Sequence, residues 1–82
     1  MTKNRDKGRL GVAIIGLGVG EQHARAFARS RDCEIRWLCD FDLKRANLLK
    51  DDLRCQAAIT DNFKIALDDP AVDIVSIASF DD

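Results

Sequence analysis

The chain has 82 residues, of which 46% are hydrophobic, and its formal net charge at pH 7 is −1. A chain of this length forms one small domain at most, and its ordinary apolar content argues against disorder. The near-neutral charge gives no general reason to expect a nucleic acid or a membrane surface as a partner. No stretch reaches the length of a membrane span and no apolar segment follows Met1, so a cytoplasmic protein is predicted.

The cysteines and the first residues add little chemistry. Cys33, Cys39 and Cys55 are an odd number of thiols without C-x-x-C spacing. They suit a reducing compartment and predict neither a disulfide framework nor a zinc site. Cys39 lies in an apolar run and is interpreted as a small buried hydrophobic residue. Residues 1–9 are polar and basic, and we interpret them as a solvated tail before a domain over residues 10–82.

Strand and helix patterns alternate along the rest of the chain. Leu10–Ile15 is a nearly continuous apolar run, which predicts a strand buried on both faces. Three glycines follow, and then a helix to about Arg31 with an inward stripe of Ala24, Phe27 and Ala28. The remaining predicted elements are a strand over 34–39, a helix over 43–53 capped by Asp42, a strand over 56–59, a short helix capped by Asp61, and a strand over 73–78.

The order β-α-β-α-β-α-β determines the predicted fold class. Strands that alternate with helices predict an α/β fold with a parallel sheet and right-handed crossovers. The expected spatial order of the strands is 3-2-1-4, which is the first half of a doubly wound Rossmann sheet.

The segment most suggestive of function is G-L-G-V-G-E-Q-H-A at residues 16–24, between the first strand and the first helix. Glycines there allow a tight turn and a close approach of phosphate to the backbone. The helix that follows offers unpaired N–H groups and the positive end of its dipole. Gly16, Gly18, Val19 and Gly20 are therefore predicted to bind a nucleotide, although such glycines are often only a tight turn.

An acid follows the glycines at the spacing that a ribose ligand requires. Asp40 ends the second predicted strand, 20 residues after Gly20. Its carboxylate would accept hydrogen bonds from ribose hydroxyls and repel a 2′-phosphate, so NAD is favoured over NADP. Lys44 and Arg45 are close enough in sequence to weaken that preference, and NADP remains a second candidate. Asp42 is interpreted as a helix cap rather than a ribose ligand.

Three motifs in order resemble a known family. They are V-A-I-I-G-L-G-V-G-E-Q-H-A, C-D-F-D and D-P-A-V-D-I-V-S-I-A, and the second motif contains Asp40 and Asp42. This arrangement resembles the glucose–fructose oxidoreductase and inositol dehydrogenase family, Gfo/Idh/MocA. The likeness extends from Leu10 onward and is more specific than the glycines alone.

The resemblance implies an NAD(P)-binding domain of an oxidoreductase. Members of the family typically transfer hydride between a nicotinamide cofactor and a hydroxyl of a sugar, inositol or related polyol, and carry a second, substrate-binding domain. The glycines match the phosphate turn of the family and Asp40 matches its ribose acid. Ser79 and Phe80 match the loop after the fourth strand, which approaches the nicotinamide side of the cofactor.

The chain departs from the family pattern at three places. The usual G-x-G-x-x-G would have its third glycine one residue after Gly20, where this chain has Glu21. Either the turn is one residue shorter, or Glu21 takes the close-packing position and adds a carboxylate near the pyrophosphate. Phe80 replaces the more common proline. The Glu-Lys-Pro segment with the catalytic-site lysine would lie beyond Asp82, so the 82 residues alone are expected to be inactive.

Two other classes of function compete with this interpretation. A methyltransferase that uses S-adenosylmethionine also has G-x-G-x-G after a first strand, but it commonly carries an acid within that strand, and Leu10–Ile15 has none. A non-catalytic module that self-associates is the other alternative. An open edge at the fourth strand predicts a homodimer or a larger homo-oligomer. His23 is expected to make packing or hydrogen-bond contacts, and neither a catalytic residue nor a metal site is predicted.

Overall fold

A computed structural model describes residues 8–78. In that part of the chain three helices alternate with four parallel strands, which lie in the order β3-β2-β1-β4. The elements are β1 (Leu10–Ile15), α1 (Leu17–Arg29), β2 (Cys33–Cys39), α2 (Leu43–Leu53), β3 (Ala58–Thr60), α3 (Phe63–Leu67) and β4 (Ile74–Ile77). The α/β class and the 3-2-1-4 order predicted from the sequence are confirmed. The basic residues of the predicted tail lie largely outside the described range.

The hydrophobic core forms where β1 and β2 meet the two helices on one face of the sheet. Val12 and Ile14 of β1 are fully buried there, against Ala24 of α1 and Ala46 of α2. Small alanines let both helices approach the sheet closely, which explains the narrow apolar stripes of these helices. Among the described elements, α3 packs against β1, β2 and β3 without joining the α1–α2 pair. It lies on the opposite face, as a right-handed crossover into β4 requires.

An irregularity in β2 changes which of its side chains reach the core. Val12 of β1 pairs with Ile35, but the next residue, Ala13, pairs with Trp37. Arg36 is therefore an extra residue, as in a β-bulge. As a result Ile35 and Leu38, three positions apart, both belong to the same core cluster. Strict strand alternation would have placed them on opposite faces.

Three local expectations about the helices were wrong. Helix α1 begins at Leu17, before two of the glycines that were expected to precede it. Ala28, expected to face inward, is exposed, and of the predicted stripe only Ala24 and the half-buried Phe27 belong to the core. Asn62, and not Asp61, caps α3, since its side chain accepts a hydrogen bond from the Lys64 N–H. By contrast, α2 and its Asp42 cap are as predicted.

The D-P-A-V-D segment anchors the start of β4 to the centre of the sheet. The Asp69 carboxylate accepts hydrogen bonds from the Trp37 indole N–H at 2.8 Å and from the Ala71 N–H at 2.8 Å. Asp73 accepts a hydrogen bond from the Gly11 N–H at 2.7 Å and donates its own N–H to the Gly11 carbonyl. The bond from Ala71, reinforced by the bond from Trp37, lowers the pKa of Asp69. These contacts hold β4 in register beside β1.

Candidate functional site

The turn after β1 consists of a single residue. Gly16 caps α1 with φ of 87°, a left-handed conformation that glycine adopts without steric cost. Its N–H donates to the Cys39 carbonyl at 2.9 Å, and a Cβ at this position would overlap the backbone oxygen of Ala78. Gly16 therefore joins the carboxyl ends of β1, β2 and β4, where ligands bind in open α/β sheets.

The first turn of α1 presents two free amides to solvent. Gly18 and Val19 are exposed, and within residues 8–78 no acceptor is found for either N–H group. The Leu17 N–H, by contrast, donates to the Asp40 carboxylate at 2.8 Å. Unpaired amides at a helix N-terminus attract anions, and the helix dipole adds to the effect.

Gly20 occupies the close-packing position of the turn. It is buried, and a Cβ there would lie 3.3 Å from the Ile14 Cγ2 atom and 3.4 Å from the Ala78 Cβ atom. Of the two arrangements left open by the sequence, the geometry therefore favours the turn that is one residue shorter. Glu21 lies one position later on α1 and does not fill this space.

The negative charge of Glu21 is balanced by a neighbouring arginine on the surface of α1. Arg25 donates to Glu21 at 2.8 Å and to Asp52 of α2 at 2.6 Å, which links the two helices. The hydrogen bond to Asp52, followed by the one to Glu21, raises the pKa of Arg25. Because Arg25 pairs with Glu21, that carboxylate opposes an anion near the turn less than its charge alone suggests.

Asp40 lies at the end of β2 and bonds to two neighbouring segments. One carboxylate oxygen accepts the Leu17 N–H and the other accepts the Asp42 N–H, each at 2.8 Å. Its own N–H donates to the Thr60 carbonyl at 3.1 Å. Asp42 in turn caps α2 by accepting the Arg45 N–H at 3.1 Å. The two acids of C-D-F-D thus have separate roles, as the sequence predicted for Asp42.

A cavity of about 260 Å³ opens beside Asp40 at the carboxyl ends of all four strands. Its walls are mostly apolar and include the aromatic side chains of Phe41 and Phe63. Phe41 is 89% exposed, an unusual position for a large apolar side chain. Neither phenylalanine was predicted as a site residue, and for Phe41 no periodic pattern marks the exposure of a residue in the loop after β2.

Cys39 borders the same cavity but offers no reactive thiolate. Burial raises the pKa of the Cys39 thiol, and the nearby Asp40 and Asp61 carboxylates raise it further. A thiol with a raised pKa stays protonated at neutral pH and is a poor nucleophile. This supports the interpretation of Cys39 as a buried apolar residue.

Other candidate residues lie away from this cavity. The His23 Nδ1 atom is 3.1 Å from the Ser76 hydroxyl oxygen of β4, a hydrogen-bond contact of the kind expected for His23. A larger cleft of about 560 Å³ separates α1 from α2, and Lys44 and Arg45 lie on its rim. Ser79 and Phe80, the two residues matched to the nicotinamide side, lie outside the described residues.

Residues 8–78 contain no cluster of three or more His, Cys, Asp or Glu side chains suited to a metal ion. None of the helices described combines the length and the hydropathy that crossing a bilayer requires.

Comparison with known proteins identifies the family that the chain matches. Residues 10–82 match the family model GFO_IDH_MocA, described as an oxidoreductase family with an NAD-binding Rossmann fold. No curated protein sequence matches.

Three solved structures are similar to the chain. The myo-inositol dehydrogenase from Lactobacillus casei, in complex with NAD(H) and myo-inositol, is 25% identical with a TM-score of 0.81, over 88% of this chain and 22% of that one. GenD2 from gentamicin A biosynthesis, in complex with NAD, is 28% identical with a TM-score of 0.79, over 96% of this chain and 23% of that one. An NAD-binding oxidoreductase from Klebsiella pneumoniae is 29% identical with a TM-score of 0.70, over 87% of this chain and 21% of that one.

The chain thus spans about a fifth of the length of these structures. The family match covers more than half of the chain, and the parallel strand order agrees with the Rossmann fold of the family. The chain therefore belongs to the Gfo/Idh/MocA oxidoreductase family and has the Rossmann fold of that family's NAD-binding domain.

Proposed function

We propose that the chain binds NAD at the carboxyl ends of its strands, in the space bounded by the first turn of α1, Asp40 and the aromatic cavity. The observation that carries the proposal is that the glycine turn and the acid, 23 residues apart, meet through the 2.8 Å bond between Leu17 and Asp40. Free amides, a carboxylate and an apolar cavity then lie side by side, in the order of the pyrophosphate, ribose and adenine of a dinucleotide.

The pyrophosphate is assigned to the N-terminus of α1. The exposed N–H groups of Gly18 and Val19 are the donors. Gly16 and Gly20, on either side of them, pack tightly against Ala78. Oriented backbone amides and the helix dipole stabilise a bound anion without a charged side chain.

The ribose of the adenosine half is assigned to Asp40. Each of its oxygens already accepts one backbone N–H, and a carboxylate oxygen has a second lone pair available for a hydroxyl. A 2′-phosphate would meet this negative charge, which favours NAD. Lys44 and Arg45 are exposed on the first turn of α2, where they reduce the penalty for NADP.

The adenine ring is assigned to the cavity walled by Phe41 and Phe63. Flat aromatic side chains stack favourably on a base, and the apolar lining suits a ring that leaves water. Ser79 and Phe80 are assigned to the nicotinamide half, on the basis of their match to the loop after the fourth strand of the family.

The reaction we propose for the complete protein is hydride transfer between NAD and a hydroxyl of a sugar or polyol. The cofactor supplies or accepts the hydride, and this chain holds and orients its adenosine and pyrophosphate parts. Support comes from the family match and from the similar dehydrogenase whose structure contains NAD(H) and myo-inositol.

Replacement of Asp40 by alanine tests the cofactor site. Isothermal titration calorimetry with NAD should show an affinity about 10- to 100-fold lower than that of the unaltered chain, the range for losing a charged hydrogen-bond partner. Asp51→Ala, which removes an exposed carboxylate from the far end of α2, is the matched control and should bind NAD normally. Equal NAD affinity in the Asp40 and Asp51 variants would remove Asp40 from the site.

We also propose that the 82-residue chain self-associates through β4. Within the described residues β4 is an edge strand, and its Val75 and Ile77 side chains are 38% and 66% exposed. An apolar edge strand is a template for pairing with a second copy. Light scattering coupled to size-exclusion chromatography at micromolar concentration should give at least the mass of a dimer. A monomeric mass would contradict the proposal.

A further inference from the structure

The N-terminus of α1 is capped from another element of the fold. A helix usually begins with a residue whose own side chain accepts one of its free N–H groups. Gly16 occupies the cap position of α1, has no side chain, and no side chain of its own segment replaces it. The acceptor is the Asp40 carboxylate, which reaches the Leu17 N–H from the end of β2 at 2.8 Å.

The second oxygen of the same carboxylate extends this link. It accepts the Asp42 N–H at 2.8 Å, at the point where the chain leaves β2 and enters the cap of α2. Two short hydrogen bonds from one side chain therefore hold the start of α1 against the start of α2. The free amides of Gly18 and Val19 are the next two along α1, so their position depends on this link.

We propose that Asp40 is a positioning residue for the phosphate-binding turn, in addition to being a ribose ligand. Its carboxylate fixes the first amide of α1, and this aims the next two amides at the pyrophosphate. The inference rests on the proposed nucleotide function of the site. It differs from a role in ribose binding alone, because it makes the affinity for the pyrophosphate depend on Asp40.

The two roles make opposite predictions for a ligand that lacks ribose hydroxyls. The probe is 2′,3′-dideoxyadenosine 5′-diphosphate, which keeps the base and the pyrophosphate. If Asp40 only binds hydroxyls, its removal deletes a negative charge beside an anionic ligand and tightens binding. If Asp40 positions the turn, removal of its oxygens leaves the amides misplaced in part of the population, and the apparent affinity falls.

The experiment compares Asp40→Ala with Asp40→Asn in the 82-residue chain. The alanine variant has no acceptor for the Leu17 N–H and should bind the dideoxy probe about fivefold more weakly, as for a lost helix cap. Asparagine keeps an acceptor oxygen and lacks the charge, so it should bind the probe at least as tightly as the unaltered chain. Unchanged or tighter binding by the alanine variant would overturn the proposal, as would equal weakening in both variants.

A measurement without ligand separates this inference from the nucleotide function itself. Hydrogen exchange of the Leu17 amide, followed by NMR, should be slow in the unaltered chain and in Asp40→Asn, and at least about fivefold faster in Asp40→Ala. Unchanged Leu17 exchange in the alanine variant would refute the positioning role even if nucleotide binds. Failure of the unaltered chain to bind ADP and the dideoxy probe would instead refute the proposed function and leave the exchange result to stand alone.

Discussion

Replacement of Gly16 by alanine is expected to lower the free energy of unfolding by about 3 kcal/mol or more. Two costs add at this position. The φ of 87° lies in the left-handed region that side-chain-bearing residues rarely adopt, and the new Cβ would overlap the backbone oxygen of Ala78. A backbone oxygen at the end of β4 has no rotamer by which to move away, so β1 and β4 must separate. Urea unfolding, followed by circular dichroism, measures the change.

Two other glycines separate these costs. Gly8 has φ of 68°, and no atom lies within 4 Å of the position that a Cβ would take, so alanine there tests backbone conformation alone and should cost at most about 1–2 kcal/mol. Gly20 lies in helix α1 with a negative φ and ordinary to tight contacts, so Gly20→Ala should change stability by less than about 1 kcal/mol, because helix propensity offsets the crowding. If Gly16→Ala is no less stable than Gly8→Ala, the Ala78 backbone oxygen moves away from the new Cβ at little cost in free energy.

Much of this fold could be predicted because strong local signals coincide with the elements. The apolar run of β1 has the predicted bounds, and Asp42 caps α2 as the pattern indicated. The start of α1 could not be predicted, since Gly16 has no capping side chain and its helix depends on Asp40, which is distant in sequence. Adjacent acceptors at Asp61 and Asn62 made the start of α3 ambiguous by one residue.

The candidate site likewise has parts that could be predicted from the sequence and parts that could not. The proximity of Gly16 and Asp40 could be predicted from spacing alone, because a β-α-β unit brings the ends of its first two strands together. Phe41 could not, since its exposure depends on the loop that follows β2 and on no periodic pattern. The bulge at Arg36 was equally invisible, because it arises from pairing with β1. The assignment of Ser79 and Phe80 remains a prediction.

Replacement of Asp69 by alanine is expected to destabilise the chain by about 2 kcal/mol, because it leaves the Trp37 indole N–H and the Ala71 N–H without their acceptor. The Arg36 guanidinium, 3.7 Å away, also loses one of its two carboxylate partners among the described residues and keeps only Glu34. Urea unfolding monitored by Trp37 fluorescence reports directly on this contact. Asp68→Ala, one residue earlier and exposed, is the control and should unfold at nearly the same urea concentration as the unaltered chain.

The same carboxylate should make stability depend on pH in the acid range. Because the folded chain lowers the pKa of Asp69, its contribution is complete above the ordinary aspartate value of about 4 and is lost as the pH falls through the lower folded value. Asp69→Asn removes this titration while keeping one acceptor oxygen. The stability difference between the unaltered chain and Asp69→Asn should therefore be largest near pH 7 and shrink by about pH 3. A difference that stays constant over this range would show that the charge of Asp69 contributes nothing, and that its hydrogen bonds act as neutral ones.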